Sequence, residues 1–398
     1  MQTEMQAPIY FDNSATTPLS EKVKQKMLSA MDCYGNPSSL HGAGVQASAM
    51  LRTAREQILL ALGVRDSASA SLIFTSCGSE ANNLALFGTT HAKERRAANK
   101  IVTTDSEHPS IENCLVALEK EGFEIVRIPT RGGQLDMEAV DKALNKQVFL
   151  VTMMMINNET GARYPVEQVF RMAKQRNPEV ITHCDAIQGF LKCKFTAQTL
   201  GADLISLSGH KIHAPKGVGA LYVDKKILTR RSLVPTLLGG GQENGLRSGT
   251  ENTIGIAAFG EAARHGRESL PSSLSTLANL RRYAVEKLSP LEVRLNLPAG
   301  EAAPHIVNLT LPYIRSETML HYLASEGIYV SAGSACSSHS AHPSASLLAF
   351  GLNAEEAGYS IRISFSPYNT TEEIDRMAAV LEKGLSTLVR TNRGKAQR

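Results

Sequence analysis

Between residues 70 and 225 the chain alternates short apolar or β-branched runs with longer stretches of helical character. The runs are Ser71-Leu-Ile-Phe-Thr75, Lys100-Ile-Val-Thr-Thr104, 148–156, Glu179-Val-Ile-Thr-His183, Asp203-Leu-Ile-Ser-Leu207 and Gly219-Ala-Leu-Tyr-Val223. Runs of this kind read as strands, and their alternation with helices predicts an α/β domain with a mostly parallel sheet and helices on both faces. Ligands of such sheets gather beyond the carboxyl ends of the strands. Just past those ends lie Cys77-Gly-Ser-Glu80, Glu107-His108, Asn157-Asn-Glu159, Asp185-Ala-Ile-Gln188 and Ser208-Gly-His-Lys211. Loops that are merely solvated carry Asp, Lys and Gly without pattern, so these five clusters predict a site on one rim of the sheet.

After Gly255 the pattern changes to long helical stretches, and Leu270-Pro-Ser-Ser-Leu-Ser reads as a boundary. The last helix is expected to open with Thr370 and Glu373 in capping-box spacing, ahead of Ile374, Met377, Leu381, Leu385 and Leu388. A chain of 398 residues exceeds what one core usually serves. The expected division is a large domain over residues 16–266 and a small domain over 267–398, joined by 1–15.

Composition narrows the function classes. Hydrophobic residues are 42% and charged residues 20% of the chain, the balance of a folded globular protein. Net charge is only +4, and the one basic cluster, Arg390 to Arg398, has no aromatic residues for base stacking, so direct nucleic-acid binding is not expected. The longest apolar run, 148–156, is half the length of a membrane span, and the N-terminus lacks a charged-then-apolar signal pattern. A cytoplasmic protein is expected. Cys33, Cys77, Cys114, Cys184, Cys193 and Cys336 show no repeat in spacing and do not resemble a disulfide framework.

Candidate chemistry centres on Lys211. A lysine taken at random is a surface residue. This one directly follows a strand and precedes the small-residue turn that ends at Gly217. An aldehyde cofactor requires a lysine amine for the Schiff base, a carboxylate against a pyridinium nitrogen, and donors for a phosphate. All three can be assigned. Asp185 ends a buried-looking strand, where an unpaired carboxylate would be costly, so a cationic partner is expected. Cys77-Gly-Ser-Glu-Ala-Asn83 lies between strand and helix, where free N–H groups and the helix dipole suit a phosphate dianion. Gly239-Gly-Gly241 is not followed by Gly-Lys-Ser/Thr and is not a P-loop.

Eight blocks carry a family likeness: Asp12-Asn-Ser-Ala-Thr-Thr17, Tyr34-Gly-Asn-Pro-Ser-Ser39, Phe74 to Glu80, Asn157-Asn-Glu-Thr-Gly161, His183 to Gln188, Ser208 to Gly217, Gly239 to Asn252 and Ser331-Ala-Gly-Ser-Ala-Cys336. In order and spacing, from residue 8 to about 390, they resemble the NifS/IscS-type cysteine desulfurases of the class V aminotransferase superfamily, fold-type I pyridoxal-phosphate enzymes. The resemblance implies a mostly parallel seven-stranded sheet flanked by helices, a smaller α+β C-terminal domain, and pyridoxal 5'-phosphate as cofactor. It implies Lys211 as the Schiff-base lysine, Asp185 as the pyridinium partner, Gln188 on the ring hydroxyl, and His108 stacked on the ring and assisting proton transfer. Gly78, Ser79, Ser208 and His210 would bind phosphate, with Thr250 reaching it from the partner subunit of a homodimer. Asn158 and Arg362 would hold the substrate carboxylate.

Cys336 separates the expected activity from other reactions on this scaffold. Free cysteines are most often small buried hydrophobes. Cys336 instead sits in a small-residue loop, about 331–345, expected to be exposed. The implied reaction converts L-cysteine to L-alanine and leaves sulfur on Cys336 as a persulfide, for a protein acceptor such as an Fe-S scaffold or a thiolation enzyme. Cys336, His339 and His342 have spacing that could suit a metal, but Ser and Ala fill the loop and no fourth ligand is evident, so no metal is expected. Two departures stand out: Cys77 replaces the family's usual Gly, and Ser-His-Ser-Ala-His-Pro follows Cys336 where relatives tend to have Ser-Gly-Ser-Leu-Glu-Pro. The alternatives are a selenocysteine lyase or other class V enzyme, and a non-catalytic sulfur-relay protein on the same scaffold.

Overall fold

A computed structural model describes residues 8–66, 68–92, 98–332 and 343–391. In chain order the strands are β1 (Ile9–Tyr10), β2 (Ala70–Thr75), β3 (Lys100–Thr104), β4 (Glu124–Ile128), β5 (Val148–Met154), β6 (Ile181–Asp185), β7 (Leu204–Ser208), β8 (Gly219–Asp224), β9 (Arg294–Leu295), β10 (Ile306–Thr310), β11 (Ile328–Tyr329) and β12 (Ser360–Ser364). Seven of them form one sheet in the order β2-β8-β7-β6-β5-β3-β4. The pairings from β7 through β6, β5 and β3 to β4 are parallel, whereas β8 is antiparallel to both β7 and β2. Two reversals restore the direction, so β2 runs with β7 and its carboxyl end reaches the same rim as those of β3, β5, β6 and β7.

Every residue of β5, β6 and β7 is buried, which follows from a central position covered on both faces. β4 was not among the expected runs. It is the outer strand, its first four residues are exposed or half-buried, and its Glu-Ile-Val-Arg-Ile sequence lacks a continuous apolar run. The expected strand at 179–183 begins two residues later, because Asn177 closes a turn: its Oδ1 accepts from Glu179 N and its carbonyl from Val180 N.

The second core gathers Ile9 and Phe11 with Leu277, Leu280, Leu309, Met319, Ile361, Ile363, Ile374 and Leu381. It is built on a three-stranded antiparallel sheet, β12-β10-β9, and on the parallel pair β1-β11. The segment from Leu270 does not interrupt the chain. It lies inside one helix, Thr253–Leu288, which carries Pro271 on an exposed face. Within this stretch the Ser269 and Ser272 hydroxyls donate to the carbonyls of His265 and Ser269. The last helix, Thr371–Thr387, opens with the capping box expected of Thr370 and Glu373. Among the described residues no helix is long and apolar enough to cross a membrane.

Candidate active site

All five polar loops line one cavity of about 180 Å³. Its wall includes Gly78 and Ser79 after β2, His108 after β3, Asn158 after β5, Asp185 and Gln188 at the end of β6, and Ser208, His210 and Lys211 after β7. Arg362 enters from β12, so the second core contributes directly to the cavity.

The turn after β2 is shaped for an anion. Helix Gly78–Thr90 begins there, and the first N–H groups of a helix have no intrahelical acceptor. Ser208 is buried and its Oγ has no hydrogen-bond partner. A Cβ at Gly78 would come within 2.3 Å of Ile187 Cδ1, and one at Gly219 within 2.5 Å of the Cys77 carbonyl carbon. Both glycines are therefore steric requirements of the turn. Cys77 is half-buried on the cavity wall, with Sγ 3.7 Å from Ser76 Oγ.

Lys211 projects from a single 3-10 turn, Gly209–Lys211. Its Nζ donates to the carbonyls of Ser14 (2.6 Å) and Ala15 (2.7 Å), which holds the amine against the N-terminal Asp12–Thr17 segment where Ser14 and Ala15 also line the cavity. Thr17 secures that segment by donating from its backbone N and Oγ1 to the His210 carbonyl. Asp185 is buried and accepts from Asn82 Nδ2 at 2.9 Å and from Ile187 N at 3.0 Å. The second hydrogen of the Asn82 amide goes to Ser110 Oγ (2.8 Å), which is 2.8 Å from His108 Nδ1. Asp185 and His108 are thus linked through two side chains not anticipated from the sequence.

His108 caps helix Pro109–Lys120, and the Ser110 backbone N–H donates to its Nδ1. That ring nitrogen is therefore an acceptor, and the proton of neutral His108 resides on Nε2. Burial pushes its pKa below the ordinary histidine value and the Lys211 charge adds to this, while Asp185 opposes it. A neutral histidine at a helix N-terminus is suited to donate from Nε2 rather than to carry a full charge. His210 is pushed down to about 3, first by burial and then by Lys211, Lys192 and Lys216. Glu107, behind the wall, accepts from Thr104 Oγ1 and Met154 N, and burial raises its carboxyl to about 8.

Arg362 is 1% exposed. Its Nη1 donates to the Asn158 carbonyl and its Nη2 to Asp12 Oδ1, each at 2.8 Å. Asn157 orders the neighbouring turn, its Oδ1 accepting from Glu159 N and Thr160 N. An Asp-paired guanidinium, planar and held on two sides, is a template for a carboxylate.

One expected position stands apart from the cavity, and another lies outside the described residues. Thr250 is exposed and does not line this cavity. Cys336, with His339 and His342, lies outside the described residues. Asn82, Ser110, Asp12 and the Ser14 carbonyl were missed. Asn82 had a legible signal: it follows Gly78 by four positions, one helical turn, on a helix starting at the rim. A neighbouring cavity of about 130 Å³ shares Lys211 and is lined by a mixture of apolar and polar groups, among them Leu191, Leu277, Phe365, Lys192, His213 and His265. It lacks the anion turn and Asp185.

The residues fit pyridoxal phosphate: an orphan hydroxyl and helix N–H groups for the phosphate, a buried carboxylate for the ring nitrogen, and an amine lining the same cavity. The aminotransferase class-V family model matches residues 9–377. A protein of Trichormus azollae named cysteine desulfurase is 38% identical over 379 residues, covering 94% of this chain and 92% of that protein. A solved structure described as a NifS-like protein superposes with a TM-score of 0.88 at 35% identity, covering 96% of this chain and all of that one. Another, described as SspA in complex with cysteine, has a TM-score of 0.77 at 32% identity over 91% of this chain and all of its own. With its sheet order, its rim cavity and these likenesses together, the chain belongs to the class-V aminotransferase family of pyridoxal phosphate enzymes.

Proposed function

We propose that this protein is a cysteine desulfurase, which takes sulfur from L-cysteine onto Cys336 and releases L-alanine. The observation that carries the reading is that Lys211, Asp185, His108 and Arg362 line one cavity at the carboxyl rim of the sheet. The names of the relatives, and the cysteine-bound state of one of them, support the substrate. When bound, pyridoxal phosphate supplies an electron sink at the substrate's Cα.

The chain's own residues divide the remaining work. With the cofactor bound, the Gly78 and Ser79 N–H groups, the Ser208 hydroxyl and His210 would hold its phosphate, Asp185 would keep a proton on its ring nitrogen, and Gln188 would serve its ring hydroxyl. Arg362 and Asn158 grip the substrate carboxylate, so the Cα–H bond is presented to Lys211 Nζ, which removes that proton. Neutral His108 donates from Nε2 and steadies the substrate amine. The Cys336 thiolate attacks the substrate sulfur: a sulfur–sulfur bond forms as the Cβ–S bond breaks, the electron pair passes to the carbon skeleton, and that skeleton takes up two protons, one at Cβ and one back at Cα from Lys211, and leaves as alanine.

The protein is proposed to act in the cytoplasm as a homodimer, with exposed Thr250 reaching the neighbouring copy's phosphate and the exposed Leu237 and Leu238 lying in the same loop. A protein acceptor in Fe-S assembly or thiolation would receive the sulfur. The test is turnover of L-cysteine with a thiol reductant. Alanine and sulfide should appear in equal amounts, and Cys336→Ser should abolish both while keeping the bound-cofactor absorbance. Equal turnover by the Ser variant would refute the role of Cys336.

A further inference from the structure

His305 precedes β10, is fully buried, and belongs to no polar loop of the rim. Its Nε2 is 3.5 Å from Gln188 Oε1, while its Nδ1 has no partner. At the other end of the same amide, Gln188 Nε2 donates to the Ser14 carbonyl at 2.9 Å. Burial holds the pKa of His305 well below the ordinary histidine value, and the basic groups facing it, Lys192 and Arg362, add to this. Lys192 is itself buried and its Nζ unpaired. Burial and two basic neighbours all disfavour a charged ring, so His305 is neutral and carries one ring proton. An amide oxygen accepts only, so the proton belongs on Nε2, facing Oε1.

We propose that His305 is a positioning residue that sets the orientation of the Gln188 amide. With Oε1 accepting from His305 and one N–H committed to Ser14, the group left for the cavity is the second N–H. Gln188 therefore offers the cofactor's ring oxygen a donor, the arrangement that stabilises that oxygen in its deprotonated form. Without His305 the amide is held at one end only, by the Ser14 carbonyl, and a turn that presents its carbonyl to the cavity, which would favour a protonated ring oxygen, is opposed by that one contact alone. This assignment rests on the pyridoxal phosphate reading of the cavity.

The experiment is a pH titration of the visible absorbance of the cofactor-loaded protein, in wild type, His305→Leu and His305→Gln. Loss of a donor to a charged oxygen should move the midpoint to higher pH by about one unit or more in the Leu variant. The Gln variant, whose amide N–H reaches to about the position of Nε2, should titrate near wild type. If His305→Leu does not fold, His305→Asn, whose amide stops short of Gln188, should show the same upward shift. A Leu or Asn variant with normal cofactor content and an unmoved midpoint would overturn the assignment of His305 alone. A wild-type protein that takes up no pyridoxal phosphate would overturn the reading of the cavity and this inference with it.

Discussion

His183 offers a quantitative test of how dry the core of the sheet is next to Asp185. It lies two residues before Asp185 on β6, on the same face of the strand, and is completely buried. Its Nδ1 pairs with Thr152 Oγ1 at 2.8 Å and its Nε2 with Ser206 Oγ at 2.9 Å. Burial pushes its pKa down to about 3. In the unfolded chain the same ring has a pKa of about 6.5. Between these values the unfolded state binds a proton that the native state does not, so stability is lost as pH falls below about 6.5. At pH 5 the loss from this residue is about 1.5 pKa units, or about 2 kcal/mol. The perturbation is His183→Leu, which removes the titration along with two hydrogen bonds. Urea unfolding of both cofactor-free proteins, followed by circular dichroism at pH 7.5 and pH 5, separates the two effects. The hydrogen-bond loss is common to both pH values, whereas the stability gap between wild type and variant should narrow by about 2 kcal/mol at pH 5. An unchanged gap would mean that native His183 takes up a proton, and that burial on β6 does not exclude charge from this position.

Glu107 should behave in the opposite sense, since burial raises its native pKa to about 8. Wild type should lose stability relative to Glu107→Gln as pH rises from about 4.5 toward 8, and parallel profiles would contradict a neutral carboxyl. Gly78→Ala should weaken cofactor retention, and Ile187→Ala should restore it, because the clash at 2.3 Å is with a side-chain methyl. Gly219→Ala meets backbone at 2.5 Å and should have no such second-site relief; cofactor content after dialysis reports both. Arg362→Lys loses the two-sided hold by Asp12 and Asn158, and should raise KM for cysteine by about tenfold to a hundredfold, the equivalent of one charge-assisted hydrogen bond. Unaltered KM would remove Arg362 from substrate binding.

The features legible in the sequence are those that a local pattern encodes. β5 is seven buried residues in a row, and the capping box at Thr370 announces its helix. The polar clusters were legible because each directly follows a buried strand, and the sheet brings those strand ends to one rim. What escaped depends on neighbours distant in the chain. β4 is an outer strand whose partner, β3, was recognisable while its own alternation was weak. Pro271 suggested a break, yet at this exposed position one missing N–H is tolerated within a long, well-packed helix. Asn82 meets Asp185 across 103 positions, and Gln188 meets Ser14 across 174. Such pairings follow from strand order, which spacing along the chain does not contain. Backbone acceptors, such as the Ser14 and Ala15 carbonyls on Lys211, have no sequence signature.

The central claim is that the amine of Lys211 is the one that meets the cofactor. Borohydride reduction of the loaded protein fixes bound pyridoxal phosphate to its lysine, and peptide mapping by mass then locates it. The account predicts the modified peptide to be the one containing Lys211, with labelling lost in Lys211→Ala. A label on Lys192, the unpaired buried amine nearby, or no stoichiometric label at all, would contradict it.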